Sequence, residues 1–357
     1  MSYIKFYKNK KVLITGVTGF KGAWLALWLN LLGAKVYGIG YKPNNNIRLF
    51  DQLNLKKKIS FKNIDIRNYQ KLSKYIKKIK PKIIFHLAAQ PIISKSYEDP
   101  TNTYEINSFG TLNLIDIVKK NNFIKSTIFI TSDKCYESNN STKGFKENDK
   151  LGGIDPYSGS KACAEIIVNT YHHSFFRNKL NRGVATARAG NVIGGGDWSK
   201  DRLIPDSIKS LVKNKKIIIR NPNFNRPWQH VLEPLNGYLM LAYNLSINPK
   251  KYSGPWNFGT ERNTITSVEE IIEKIIHFWG KGKFKKINKK KFYEQTNLQL
   301  NIQKSKNKLR WKPKLTIDEC ILITVDWYKQ VIINKKSVEK ITNDQILNYM
   351  KINDKKN

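Results

Sequence analysis

Short apolar runs alternate with stretches of helical periodicity through the first half of the chain. Lys11-Val12-Leu13-Ile14-Thr15 reads as a strand and leads straight into Gly16-Val17-Thr18-Gly19-Phe20-Lys21-Gly22. Ala23 to Leu32 then carries a helical pattern, with Gly33 placed to cap its end. Further strands are predicted over Val36 to Ile39, Ile59 to Ile66, Lys82 to Leu87 and the run Thr127 to Ile130, which ends at Ser132. Helices are predicted over Thr103 to Lys120 and from Tyr157 to about Phe176, and another strand over Val184 to Ala189. Apolar runs that alternate with helices build a parallel sheet with helices on both faces. Ligands then gather outside the carboxyl ends of the strands.

Beyond residue 190 the pattern changes. Gly190 to Trp198 is too glycine-rich for a helix or strand and is expected to form a loop at the same edge of the sheet. After it the strict alternation lapses, and Arg202, Arg220, Arg226, Trp228 and His230 decorate shorter elements. The fold class expected is α/β, a doubly wound parallel sheet of Rossmann type with a smaller mixed α/β substrate-binding domain toward the C-terminus. Residues 1–190, with a returning segment at about 227–260, would form the dinucleotide-binding domain. Residues 191–226 and 261–330 would form the second domain, and the polar stretch 331–357 a peripheral helix or tail.

Composition narrows the function. A chain of 357 residues, 40% of them hydrophobic, buries a large core. A formal net charge of +37 would suit nucleic acid or a membrane surface. The lysines, however, are scattered through every kind of element, and their densest cluster, Lys281 to Lys291, lies far from the motifs. They read as a solvated surface, with neither nucleic acid nor membrane as partner, whose field favours capture of an anionic substrate. Cys135, Cys163 and Cys320 have no metal-ligand spacing, so no metal site is expected. Their odd number argues against a disulfide framework and for a reducing, cytoplasmic setting. The longest apolar run near the start, Ala23 to Leu32, is too short to span a bilayer.

The glycine turn after the first strand allows close backbone approach to a pyrophosphate, with phosphate at the following helix N-terminus. Many NAD proteins place a carboxylate after the second strand, but here Tyr41, Lys42 and Pro43 follow, and Lys42 could accommodate a 2′-phosphate. Asp65 and Ile66 end the third strand, and the small residues Ala88 and Ala89, followed by Gln90, end the fourth. His86 reads as strand packing. Tyr157 and Lys161, four residues apart, share a helix face, where an ammonium favours a phenolate. Such a pair alone is commonplace on exposed helices. It gains meaning from Ser132, Asp133 and Lys134, which bring a hydroxyl, a carboxylate and an amine to a strand end.

The glycine turn, His86-Leu87-Ala88-Ala89-Gln90-Pro91, Tyr157-x-x-x-Lys161 and the loop from Arg188 together resemble the extended short-chain dehydrogenase/reductases that act on nucleotide-sugars. More narrowly, Thr131 to Tyr136, Arg188 to Trp198, Asp201 to Asp206 and Arg226 to Pro234 resemble the CDP-glucose branch of the nucleotide-sugar 4,6-dehydratases. The resemblance spans about residues 8–330. In the wider family Asp-Glu follows the strand-end hydroxyl; here Asp133-Lys134 does, as in the CDP-glucose branch.

The resemblance implies NAD as cofactor, CDP-glucose as substrate and a 4-keto-6-deoxy sugar as product, in deoxysugar biosynthesis for surface polysaccharide. It also implies a homo-oligomer, dimer or tetramer. Tyr157 would be the base, stabilised by Lys161, with Ser132 orienting the sugar hydroxyl. Asp133 would protonate the departing C6 hydroxyl, and Lys134 is the candidate base at C5. Gly16, Gly19, Phe20, Lys21, Gly22, Asp65, Ile66, Ala88, Ala89 and Gln90 would hold the cofactor with Tyr157 and Lys161. Asn191, Arg202 and Arg226 would hold the nucleotide diphosphate. A 4-epimerase or decarboxylating relative is the neighbouring alternative, though it has no use for an acid and a base beside Ser132. A basic nucleic-acid-binding protein that keeps a dinucleotide fold is the alternative from another class.

Overall fold

β1 (Lys11–Thr15), β2 (Lys35–Gly40), β3 (Ser60–Asn63), β4 (Ile83–His86), β5 (Ser126–Ile130), β6 (Gly183–Arg188) and β7 (Gly254–Asn257) form one sheet. Their order is β7-β6-β5-β4-β1-β2-β3, and every pairing is parallel. The computed structural model describes residues 2–41, 48–137, 144–178, 181–261, 266–287 and 298–352. β4, β5 and β6 are buried at every position, because helices cover both faces. β3 is the exposed edge. It is shorter than the predicted Ile59–Ile66, since the chain leaves the sheet at Ile64 toward the strand ends.

On one face α1 (Phe20–Leu31) packs with the later helix α6 (Leu232–Ile247) around Trp24, Trp28, Tyr238 and Leu239. On the other lie α2 (Tyr69–Ile79), α3 (Gly110–Lys120) and α4 (Pro156–Tyr171), packed around Leu72, Ile76, Leu114, Ile117 and Val168. The helix predicted over Thr103 to Lys120 is divided. A short helix at Pro100–Tyr104 and a wider turn at Glu105–Phe109 precede α3. Gly110 lies there against Ile66, where a Cβ would overlap the isoleucine side chain. α4 likewise ends in a wide turn, His172–Phe176.

The second layer of structure is mixed. α5 (Leu203–Val212) leads to Ile217–Ile219, which pairs in parallel with Phe284–Lys286. Asn225–Arg226 pairs antiparallel with Thr266–Ser267 at the start of α7 (Val268–Trp279). Capping boxes start both α7, through Ser267 and Glu270, and α8 (Ile317–Tyr328), through Thr316 and Glu319. The glycine-rich run from Gly190 is mostly loop, but Val192–Ile193 pairs in parallel with Gln229–His230.

Residues 331–352 are not a frayed end. α9 (Val338–Ile352) buries Thr342, Ile346 and Tyr349. Tyr349 donates to Glu233 on α6 at 2.7 Å and meets Trp28 of α1 edge to face. The other Glu233 oxygen accepts the Lys314 and Leu315 amides, each at 2.8 Å. The N-terminal helix Ser2–Phe6 reaches α6 as well: Tyr3 donates to Asn236, and Tyr7, just beyond it, to the Leu239 carbonyl at 2.6 Å. Among the described residues no helix is long and apolar enough to cross a membrane.

Candidate active site

β1 ends at Thr15, and Gly16 takes a φ of 71°, where a side chain would run into the Ala88 backbone at the end of β4. Strand order reverses between β1 and β4, so this close approach lies in the crevice where doubly wound sheets bind dinucleotides. A Cβ on Gly22 would likewise overlap the Gly16 carbonyl. Gly19 caps α1 without a side-chain bond. The amides of Phe20, Lys21 and Gly22 in the first turn therefore present a positive helix end to the crevice.

The strand exit beside this turn is fixed by hydrogen bonds. Thr15 Oγ1 accepts the Ala88 amide at 3.2 Å and lies 2.7 Å from His86 Nδ1. The Gln90 amide donates to Asn107 at 2.8 Å, and its side chain to Thr103 at 3.0 Å. Burial pushes His86 down to about 3, so it is a neutral packing residue, as the sequence suggests. Asp65, just past β3, is held below the usual carboxylate range by its hydrogen bonds with Arg67, the closest at 2.6 Å. Ile66 beside it is buried. Lys42 lies outside the described residues.

α4 begins at Pro156 with Asp155 as its cap, accepting the Ser158 amide at 2.9 Å. This start sets Tyr157, Lys161 and Glu165 on one helix face, pointing at the end of β5. Ser132 is hydrogen-bonded to the Tyr157 phenol. It also donates to Asp133 Oδ1 at 3.0 Å and accepts the Lys134 amide at 3.2 Å. Asp133 is buried, and a Cβ on Gly190 would overlap its carboxylate. Gly190 thus makes the room that the acid occupies. Lys134 is half-buried at the same turn.

The electrostatics correct one expectation. Burial, not the Lys161 charge, dominates at the Tyr157 phenol in this arrangement. Burial pushes the phenol up to about 12, with the Ser132 hydrogen bond pulling the other way. The Lys161 ammonium instead points to the Ile130 carbonyl at 3.4 Å. Burial lowers Lys161 to about 8, opposed by the charge of Glu165 one turn further on.

Two features escaped the sequence reading. Lys21, assigned only to the glycine turn, is lowered to about 8 by burial and by the Arg202 and Lys161 charges, while Asp133 raises it. Its ammonium therefore shares the field of Asp133, Lys161 and Arg202. Arg202 also acts on Tyr157 and is paired with Asp197 at 3.1 Å. The second feature is Glu165, which accepts from Thr131 and, at 2.7 Å each, from Thr186 and Arg188. Arg188 continues to the Tyr136 hydroxyl at 2.6 Å and the Glu147 carbonyl at 3.0 Å. The spacing Tyr157-x-x-x-Lys161-x-x-x-Glu165 was the available signal.

Ser132, Asp133, Tyr157, Lys161, Lys21 and Arg202 are thus brought together. Asn191 sits in the loop after β6 with a φ of 48°. Arg226 is buried on the short antiparallel pair, its guanidinium 5.2 Å from the centre of the Phe224 ring.

A parallel sheet in this order, a glycine turn after β1, and serine, tyrosine and lysine meeting at β5 and α4 define an extended short-chain dehydrogenase/reductase. The chain belongs to the GDP-mannose 4,6-dehydratase family, whose model matches residues 13–324. It is 43% identical over 330 residues to the CDP-glucose 4,6-dehydratase of Salmonella typhimurium, covering 91% of this chain and 92% of that one. Among solved structures, a dTDP-glucose 4,6-dehydratase from Bacillus anthracis in complex with NAD superposes with a TM-score of 0.75. It is 24% identical, with 90% of this chain and 97% of that chain covered. A UDP-glucose 4-epimerase from Thermotoga maritima, 20% identical, gives 0.78 over 90% of this chain and 99% of its own.

Proposed function

We propose that this chain catalyses the NAD-dependent dehydration of CDP-glucose to CDP-4-keto-6-deoxyglucose. The observation that carries the reaction class is the buried Asp133 carboxylate, bonded to Ser132 and facing Tyr157. An epimerase needs the tyrosine but has no water to expel. The choice of nucleotide rests on the 43% identity to the Salmonella enzyme.

The residues of the crevice fit the cofactor: Gly16 and Gly22 leave space that a Cβ would fill, and the α1 N-terminus suits a pyrophosphate. Gly19, Phe20, Lys21, Ala88, Ala89 and Gln90 would line it, with Asp65 and Ile66 toward the adenosine end. NAD, when bound, supplies a reversible hydride acceptor for C4 and donor for C6.

The protein's own residues handle protons. Tyr157, once ionised, takes the proton of the sugar O4, and the Ser132 hydroxyl orients that oxygen. Lys161, released from the Ile130 carbonyl, supplies the positive charge that a buried phenolate requires. A ketone at C4 acidifies the C5–H, whose proton Lys134 takes on its nitrogen as the free amine. Asp133, protonated, gives its proton to the C6 hydroxyl, which departs as water. Arg202, Arg226 and Asn191 hold the diphosphate, where planar guanidinium groups make bidentate contacts.

The reading extends to a homodimer or tetramer: Phe109 and Ile166, on elements of one face, are 59% and 52% exposed. The unpaired Cys135, Cys163 and Cys320 agree with a cytoplasmic setting. The step would serve deoxysugar biosynthesis for surface polysaccharide. Incubation with CDP-glucose, with and without added NAD, followed by mass spectrometry of the sugar nucleotide, tests the proposal. Loss of one water is the expected result; an unchanged mass alongside turnover of a UDP-hexose would favour an epimerase. Replacing Lys134 with Ala should abolish water loss in a folded protein, and full activity would remove it from the mechanism.

A further inference from the structure

The helix on the opposite side of the sheet from α4 also reaches the catalytic carboxylate. We propose that Tyr238 is a positioning residue for Asp133. With Gln229 it holds one internal water against Asp133 Oδ2 and so keeps Oδ1 aimed at the departing hydroxyl.

Tyr238 lies in the middle of α6 with its side chain fully buried. Its hydroxyl, Asp133 Oδ2 and Gln229 Oε1 are all buried, and none has a hydrogen-bond partner among the described residues. The three groups share the neighbours Gly190 and Phe258. The Asp133 carboxylate lies against Gly190. The Gln229 amide nitrogen donates to the Gly190 carbonyl at 3.2 Å and to the Phe258 carbonyl at 3.0 Å. The Tyr238 ring packs edge-on against Phe258, 5.5 Å between centroids. Burial raises the phenol, and the charges of Asp133 and Tyr157 raise it further, so the field of both catalytic groups reaches it.

A water placed among these three unpaired atoms finds the partners it needs, since buried waters make about three hydrogen bonds. The water accepts from the Tyr238 hydroxyl and donates to Asp133 Oδ2 and Gln229 Oε1, leaving each satisfied. Oδ1 meanwhile is held by Ser132 at 3.0 Å, beside Tyr157. One carboxylate oxygen is thus anchored from α6 and the other is presented to the substrate. No proton need move along this bridge; its effect is orientation.

The inference rests on the dehydratase reading, and its test separates the two. Tyr238→Phe keeps the ring and removes only the hydroxyl. Water loss from CDP-glucose should slow about tenfold, the scale of one buried hydrogen bond. Reduced nicotinamide should then accumulate during a turnover, because oxidation at C4 makes no use of Asp133. With CDP-6-deoxy-6-fluoroglucose, whose fluoride leaves without a proton, the variant should match the wild type. No slowing, or equal slowing on both substrates, overturns the proposal. A wild type inert toward CDP-glucose defeats the dehydratase reading instead. A high-resolution crystal structure then decides the inference, as it does if the variant fails to fold. Density for a water bonded to Tyr238, Asp133 and Gln229 upholds it, and a dry gap overturns it.

Discussion

Replacing Glu165 with Gln removes the negative charge from a pair in which both partners are only 2% exposed. The amide keeps the shape, but the Arg188 guanidinium loses its counter-charge inside the protein. Breaking a buried ion pair in this way costs about 3–5 kcal/mol. Arg188 retains the Tyr136 hydroxyl and the Glu147 carbonyl, so the lower end, ~3 kcal/mol, is the figure expected. At roughly 2.1 cal/mol/K of unfolding entropy per residue over 357 residues, that is a fall in midpoint of about 4 °C. The same change acts on the active site. Glu165 holds Lys161 up against the effect of burial, which leaves it at about 8. Without Glu165 the ammonium loses its proton at lower pH. A rate that needs the charged lysine is intact below that point and falls as pH rises through it, so the alkaline limb of kcat should move toward neutrality. Thermal scans at one fixed rate and kcat profiles from neutral to alkaline pH measure the two effects separately. An unchanged midpoint, with an alkaline limb unmoved or moved upward, would refute the account of both the pair and the lysine.

The other expectations concern glycines. Gly16→Ala puts a Cβ into the Ala88 backbone at a φ of 71°, so NAD affinity by calorimetry should drop at least about tenfold and stability by about 1–3 kcal/mol; unaltered affinity would remove the crevice as the cofactor site. Gly190→Ala drives a methyl group into the Asp133 carboxylate, and single-turnover water loss should slow on the order of a hundredfold or more while C4 oxidation persists. If both steps slow together, Asp133 is not the dedicated acid.

Most of the sheet was legible because its inner strands are buried on both faces, which writes them as short apolar runs such as Val12 to Ile14 and Ile83 to Phe85. Ser132, Asp133, Tyr157 and Lys161 were legible because each follows a strand end or opens a helix, positions that punctuation residues mark. Glu165 and Arg188 were harder to read. Each is an ordinary charged residue until the fold brings the two together, 23 positions apart in the chain. Tyr238 sits in an apolar helix and looks like core, which most of it is. In α9, polar residues such as Glu339, Lys340, Asn343 and Asp344 surround and hide the inward positions Thr342, Ile346 and Tyr349. The lysine–phenol relation was misread for a different reason: spacing places two side chains on one face but does not say which acceptor the ammonium chooses.

Helix α6 is the place where the two ends of the described chain meet. Tyr3 bonds Asn236 and Tyr349 bonds Glu233, across sequence separations of 233 and 116 residues. Contacts so distant along the chain close late and slow the search for the native state. On a ribosome, the first βα unit emerges early, but Trp28 keeps one side uncovered until Tyr349 has been synthesised. A half-made chain therefore displays tryptophan to solvent for most of its translation, and chaperone demand should fall only when the last helix docks.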